Sequence, residues 1–234
     1  MWDREGTSYT VRPMRIGILG GTGPAGRALA VRLASVGFDT VVGSRSAERA
    51  AEICQGLLAE WPDHELPLSG AANPGAAACD VVVVATPWDA AASTAASVAD
   101  ELAGKVVISM ANALAKMGRE FQPLVPSRGS IAAAVQAAVP QALVSGALHH
   151  VPAHDLGNLN QPVDCDVLVC SDHPEATATT MEVMDKLPGV RSLDAGALSY
   201  ASPVETFTAV LLQLNVRYKT RVAVRFTGLG LEGG

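Results

Sequence analysis

Aromatic residues make up only 4% of the 234-residue chain, and charged residues only 17%. The first shortage leaves any core to be built from Ala, Val and Leu. The second, set against 49% hydrophobic residues, excludes a globally disordered chain. The four cysteines (Cys54, Cys79, Cys165 and Cys170) form no CxxC pair. Their spacing argues for reduced thiols in a cytoplasm rather than a disulfide frame. No apolar run is long enough to span a bilayer, so no membrane partner is expected. Residues 1–13 mix both charge signs and lack the apolar centre of a secretory signal, which marks them as a flexible extension. A net charge of −6 argues against a nucleic-acid partner. Hydrolase and dehydrogenase signatures are missing too. There is no G-x-S-x-G, and neither Tyr200 nor Tyr218 is followed at the fourth position by lysine.

What is present is alternation. Runs at 14–20, 40–43, 65–69, 80–85, 105–109, 142–147, 166–170, 190–193 and 221–226 have the length of strands, and most of them carry valine. Helical patterns lie between them at 24–37, 46–61, 89–102, 130–139, 175–187 and 203–219. Asp80–Ala85, DVVVVA, is an unbroken apolar run, the pattern of a parallel strand covered on both faces. The alternation predicts an α/β fold, a doubly wound parallel sheet of Rossmann type.

The first strand ends in GGTGPAG, which contains G-x-G-x-x-G at Gly21, Gly23 and Gly26. Such a turn lets a pyrophosphate approach the backbone at a helix N-terminus. Arg27 and Ala28 stand where a P-loop needs Lys and Ser/Thr. The second strand ends in Gly43-Ser44-Arg45, without the acid that would hold an NAD ribose. A hydroxyl and a guanidinium there, with Arg49 one turn on, suit a 2′-phosphate and hence NADP(H). The bland alternative is a solvated helix start capped by Ser44 or Ser46. The nicotinamide end is expected at the tips of the fourth and fifth strands, near Thr86, Pro87, Ala111 and Asn112. In ALHHVPAHDLGNL, His149, His150, His154 and Asp155 are metal-ligand types, but Pro152 breaks any helical i, i+4 pair. No metal is expected.

Together GGTGPAG, VVGSRS, ATPWD, ALHHVPA, LDAGALS and NVRYKTRVAVRFTG resemble the NADPH-dependent coenzyme F420 reductases (F420H2:NADP oxidoreductases) over residues 14–228. The resemblance implies an NADP-binding Rossmann domain over 14–145. It also implies a smaller C-terminal α+β portion, 146–234, that covers the cleft and completes the F420 site. NADP would contact Gly21, Thr22, Gly23, Pro24, Ala25, Ser44, Arg45 and Arg49. His149, Val151 and Ala153 would lie beside the stacked nicotinamide and deazaflavin, His149 helping to position the rings. Gly196, Ala197, Leu198 and Ser199 would form the deazaflavin loop, placed at the carboxyl edge of the sheet by the strand before it. Members of the family often have Pro and Asn where Ala197 and Tyr200 stand. The implied reaction is direct hydride transfer between NADP(H) and coenzyme F420 as co-substrate, in a homo-oligomer, a dimer. Two other readings stay open: an imine or carbonyl reductase with His149 as its acid, and a non-catalytic NADP sensor.

Overall fold

Valine, isoleucine and alanine alternate across one sheet with helices on both sides. The computed structural model describes residues 14–229, so the extension expected over 1–13 lies outside the described residues. In β1 (Arg15–Leu19), Ile16 and Ile18 point into one core and Leu19 into the other. β4 (Val81–Val84) does the same, with Val81 and Val83 on one face and Val82 and Val84 on the other. This period-two split of a wholly apolar strand is what a parallel sheet buried on both faces requires.

The first core is closed by α1 (Pro24–Ser35), α2 (Ala47–Glu60) and α8 (Pro174–Asp185). The second is closed by α3 (Asn73–Ala77), α4 (Trp88–Ala96), α5 (Ala99–Leu102) and α6 (Ile131–Ala138). The remaining strands are β2 (Asp39–Ser44), β3 (Leu68–Ala72), β5 (Val106–Ser109), β8 (Leu143–Gly146), β9 (Cys165–Ser171) and β10 (Val190–Asp194). They form an eight-stranded sheet in the order β10-β9-β8-β5-β4-β1-β2-β3. The order reverses between β1 and β4, the place where doubly wound sheets open a ligand crevice.

The strands from β3 to β8 are parallel, whereas β9 pairs antiparallel with β8 and β10 follows β9. The link from β8 to β9 carries only the short α7 (Ala153–Gly157), which packs on α1 at the carboxyl end of the sheet. No helix crosses back, so the chain re-enters the sheet from the end it left and runs the other way.

Three expectations are corrected. Residues 221–226 form no strand. The segment lies along the edge of β9 that the short β8 leaves open, and makes one main-chain bond there, from Asp166 N–H to Val224 O (2.7 Å). It is pinned instead by the fully buried Asp166, which pairs with Arg191 and Arg225 and accepts the Phe226 N–H. Burial works against that charge, but these donors outweigh it and hold the carboxyl at about 2. The helix expected over 89–102 is broken at Ser97–Val98. A hairpin not expected at all, β6 (Leu114–Met117) and β7 (Glu120–Pro123), turns at Gly118 with φ +64° and packs on the last helix, α9 (Ala201–Tyr218).

Arg32 fixes the α7 link from below. It is 2% exposed and donates to the carbonyls of Leu156 (2.8 Å), Asp155 (3.0 Å), Asn158 (2.6 Å) and Gln161 (3.1 Å). Arg32→Met keeps the apolar stem but orphans those acceptors, so it should destabilise the fold by about 3 kcal/mol. That corresponds to a fall in Tm of roughly 6–12 °C for a chain of this size. A melting curve shifted by less than about 1 °C, on the same scale, would show that water satisfies the loop equally well.

Candidate functional site

The glycine-rich turn is tied to the neighbouring strand. Gly21 N–H donates to Ile18 O (3.2 Å) and Gly43 O (3.1 Å). Gly20 has φ +72°, and a Cβ there would stand 2.5 Å from Thr86 Cγ2, so the close approach of the β1 and β4 tips requires glycine. Gly23 is different. Its φ is −76°, and the nearest atom to an added Cβ is 3.6 Å away. The fold itself does not need glycine at this position; the open space it leaves faces the cavity. Gly23 is also the N-cap of α1 and offers no side-chain cap. The first-turn N–H groups of Ala25 and Gly26 are therefore free for an anion. Arg27 Nε braces the turn through Thr22 O (2.7 Å).

A cavity of about 710 Å3 runs from this turn over the tip of β2. Its wall includes Thr22, Gly23, Ser44, Arg45, Arg49, Asn73, Thr86 and Pro87, and no carboxylate. Ser46, not Ser44, caps α2 by accepting the Arg49 N–H (3.2 Å). Capping thus falls to Ser46, and Ser44 is left on the cavity wall. Arg45 is exposed and makes no ion pair or hydrogen bond among the described residues, while Arg49 pairs with Glu52 at 3.1 Å. Asn73 escaped the sequence reading: its buried Oδ1 has no partner and faces the β2 tip beside Gly43. The buried hydroxyl of Thr86 is unpartnered as well.

A second cavity, about 400 Å3, meets the first at Ala85, Thr86 and Pro87. It is mostly apolar. Ala25, Trp88, Met110, Ala111, Leu114, Val151 and Ala153 form its floor and sides, and Thr208, Leu211, Leu212 and Asn215 of α9 close it from above. Leu148, buried with φ 66°, turns the chain so that the His149 ring enters this space. His149 is 3% exposed, and neither ring nitrogen makes a hydrogen bond of good geometry. Burial, then the adjacent His150, push its pKa down to about 3 against a weaker pull from the Ala111 carbonyl. His150 also reaches the wall, but its Nε2 is engaged with Asp166 O at 2.7 Å. Among the described residues no three His, Cys, Asp or Glu side chains stand together as metal ligands.

α9 is held over the cleft at two points. Glu205, 3% exposed, accepts the N–H groups of Ile131 (2.8 Å) and Ala132 (3.1 Å) at the start of α6. Burial raises its pKa to about 7 in spite of those donors. One turn on, Thr208 Oγ1 donates to His149 O (2.9 Å). The cover was expected of the C-terminal portion as a whole; the sequence did not single out this helix.

The residues Gly196, Ala197, Leu198 and Ser199 are not brought into this cleft. They follow β10, which runs opposite to β1, β4, β5 and β8, so its end points away from their carboxyl edge. Gly196 N–H is bonded to Asp194 (2.8 Å) and Leu198 N–H to Asp172 (3.0 Å). Leu198 itself is buried against Ala132, Cys170 and Ala201.

The family model described as NADP oxidoreductase, coenzyme F420-dependent, matches residues 15–113. Over 225 residues the chain is 34% identical to an F420-dependent NADP reductase of Methanothermobacter thermautotrophicus, covering 94% of this chain and 97% of that one. Over 222 residues it is 35% identical to an F420-dependent NADP reductase of Methanocaldococcus jannaschii, covering 92% and 99%. A crystal structure from Arthrobacter sp. FB24, assigned as an F420-dependent NADP reductase, superposes with a TM-score of 0.76 at 25% identity, over 91% of this chain and 100% of that one.

Arg45→Ala should weaken NADPH binding about tenfold or more, the worth of a charge-assisted hydrogen bond of roughly 1.5–3 kcal/mol, and leave NADH nearly unchanged. Titration of both nucleotides checks this; equal losses would remove the 2′-phosphate from the β2 tip.

Proposed function

The chain belongs to the F420-dependent NADP reductase family, and we propose that it transfers a hydride between NADP(H) and coenzyme F420 across the two joined cavities. The observation that carries this reading is the junction itself. A carboxylate-free cavity meets a more apolar one at Thr86–Pro87, and the apolar one is lined by no carboxylate, lysine or tyrosine. Bound there, a nicotinamide and a deazaflavin supply the chemistry between them, as hydride donor and acceptor.

The chain's own part is to bind, orient and keep water out. Thr22, Gly23 and the first turn of α1 would take the pyrophosphate, and Ser44, Arg45 and Arg49 the 2′-phosphate. Thr86 and Asn73 have unpaired buried oxygens suited to ribose hydroxyls. Ala111, His149, Val151 and Ala153 would line the stacked rings under α9. Holding two rings in reactive proximity can lower a barrier by roughly 7–11 kcal/mol at the upper end.

A carbonyl or imine reductase must also deliver a proton. His149 is the residue of the apolar cavity suited to that role, and with a pKa near 3 it is neutral at ordinary pH. Its place fits packing against a ring rather than acid catalysis. Exposed Phe207 and Val210 on α9 support a homodimer. The four free, buried thiols support a reducing cytoplasm.

Mixing F420 and NADPH with the protein should bleach the deazaflavin absorbance band, and no change would overturn the assignment. His149→Ala should slow that reaction or raise the Michaelis constant for F420. In NMR the His149 ring signals should keep their neutral shifts from about pH 8 to 5, since its pKa lies well below the usual histidine value. A midpoint near 6.5 would restore the acid role.

A further inference from the structure

The end of α9 carries a run of cations that the ring chemistry does not use. Arg217, Lys219 and Arg221 fall within NVRYKTR, all are exposed, and none of their side chains has a hydrogen bond or ion pair among the described residues. In a chain of net charge −6 such a cluster stands out. Arg217 lies in the last turn of α9, where a cation offsets the helix dipole. That explanation does not extend to Arg221, which follows the left-handed Lys219 (φ 52°) and lies outside the helix.

The position of the turn is set by the cleft. Asn215, part of the cleft wall, accepts the Thr220 N–H on its carbonyl (3.3 Å) and the Val222 N–H on its Oδ1 (2.7 Å). Val222 lines the same wall, so Arg221 stands one residue from the apolar cavity. Arg221 also lines a third cavity, about 440 Å3, which shares Pro152 with the apolar one. That third cavity also holds two carboxylates: Asp164, paired with Arg225, and Asp155, whose Oδ1 lies 3.1 Å from the His154 ring. Arg221 pairs with neither, so the mouth of the cleft keeps a cation that no carboxylate holds.

Coenzyme F420 bears, beyond its ring and ribityl chain, a phosphodiester and one or more glutamates, so the end that leaves the cleft is a polyanion. We propose that Arg217, Lys219 and Arg221 form a subsite for this anionic tail. The proposal rests on the deazaflavin reading of the apolar cavity. It assigns ring recognition to the apolar wall and tail recognition to charge, so the two are separable.

The test is a fluorescence titration, without NADPH, of F420 and of the tail-less deazariboflavin that shares its ring. The wild-type chain is compared with a variant carrying Arg217→Gln, Lys219→Gln and Arg221→Gln. All three side chains are exposed, so the melting temperature serves as the control for folding. Wild type should bind F420 about tenfold more tightly than the tail-less ring, and the advantage should shrink as salt is raised. The variant should bind both alike, with the affinity for the tail-less ring unchanged. A variant that keeps the preference for F420, or a wild type that binds both deazaflavins equally, overturns the subsite while leaving the ring site standing. A wild type that binds NADPH but neither deazaflavin overturns the reading of the apolar cavity, and the subsite with it.

Discussion

Two donors converge on the carbonyl of His149: the Asn112 amide from beyond β5 (2.6 Å) and the Thr208 hydroxyl from α9 (2.9 Å). This acceptor joins the sheet edge, the loop after β8 and the covering helix at one atom. Leu148 accepts a left-handed backbone so that the carbonyl and ring of His149 point where they do. Glu205 adds a second hold on α9 through the start of α6. The apolar cavity exists because these bonds keep a helix over strand tips that would otherwise be open to water.

The two ends of the site work by different physics. At the β2 tip the wall is open and favours an anion: no carboxylate lines it, and Arg45 has no partner among the described residues. Under α9 the surroundings are dry, and the same burial that shapes the cavity keeps His149 neutral. A site of that kind suits flat apolar rings and presents them with a neutral imidazole. Both properties suit a transfer in which each ring carries its own reactivity.

How much of this was legible in the sequence followed the range of the forces involved. The valine runs and the glycine turn act through neighbours in sequence, and they specified the strands and the crevice whose wall Thr22, Ser44, Arg45 and Arg49 share. Asn73 was missed because its role depends on β3 lying beside β2, a pairing across intervening α2. That α9 is the part of the C-terminal portion that forms the cover was not legible for the same reason: Thr208 meets His149 across about sixty positions, and no local pattern encodes that meeting. The error at Gly196–Ser199 came from assuming that every strand runs parallel. The reversal at β9 follows from a link that carries no crossing helix, and the pattern of α7 was too short to reveal it.

The central claim is that the hydride moves from ring to ring without exchange with a protein acid or with water. Incubating the protein with F420 and NADPH deuterated at both C4 positions, in ordinary water, tests it most directly. The account predicts that the reduced deazaflavin carries deuterium at C5, and that the mirror experiment in heavy water with unlabelled NADPH places hydrogen there. Solvent hydrogen at C5 in the first experiment, or deuterium in the second, would contradict it.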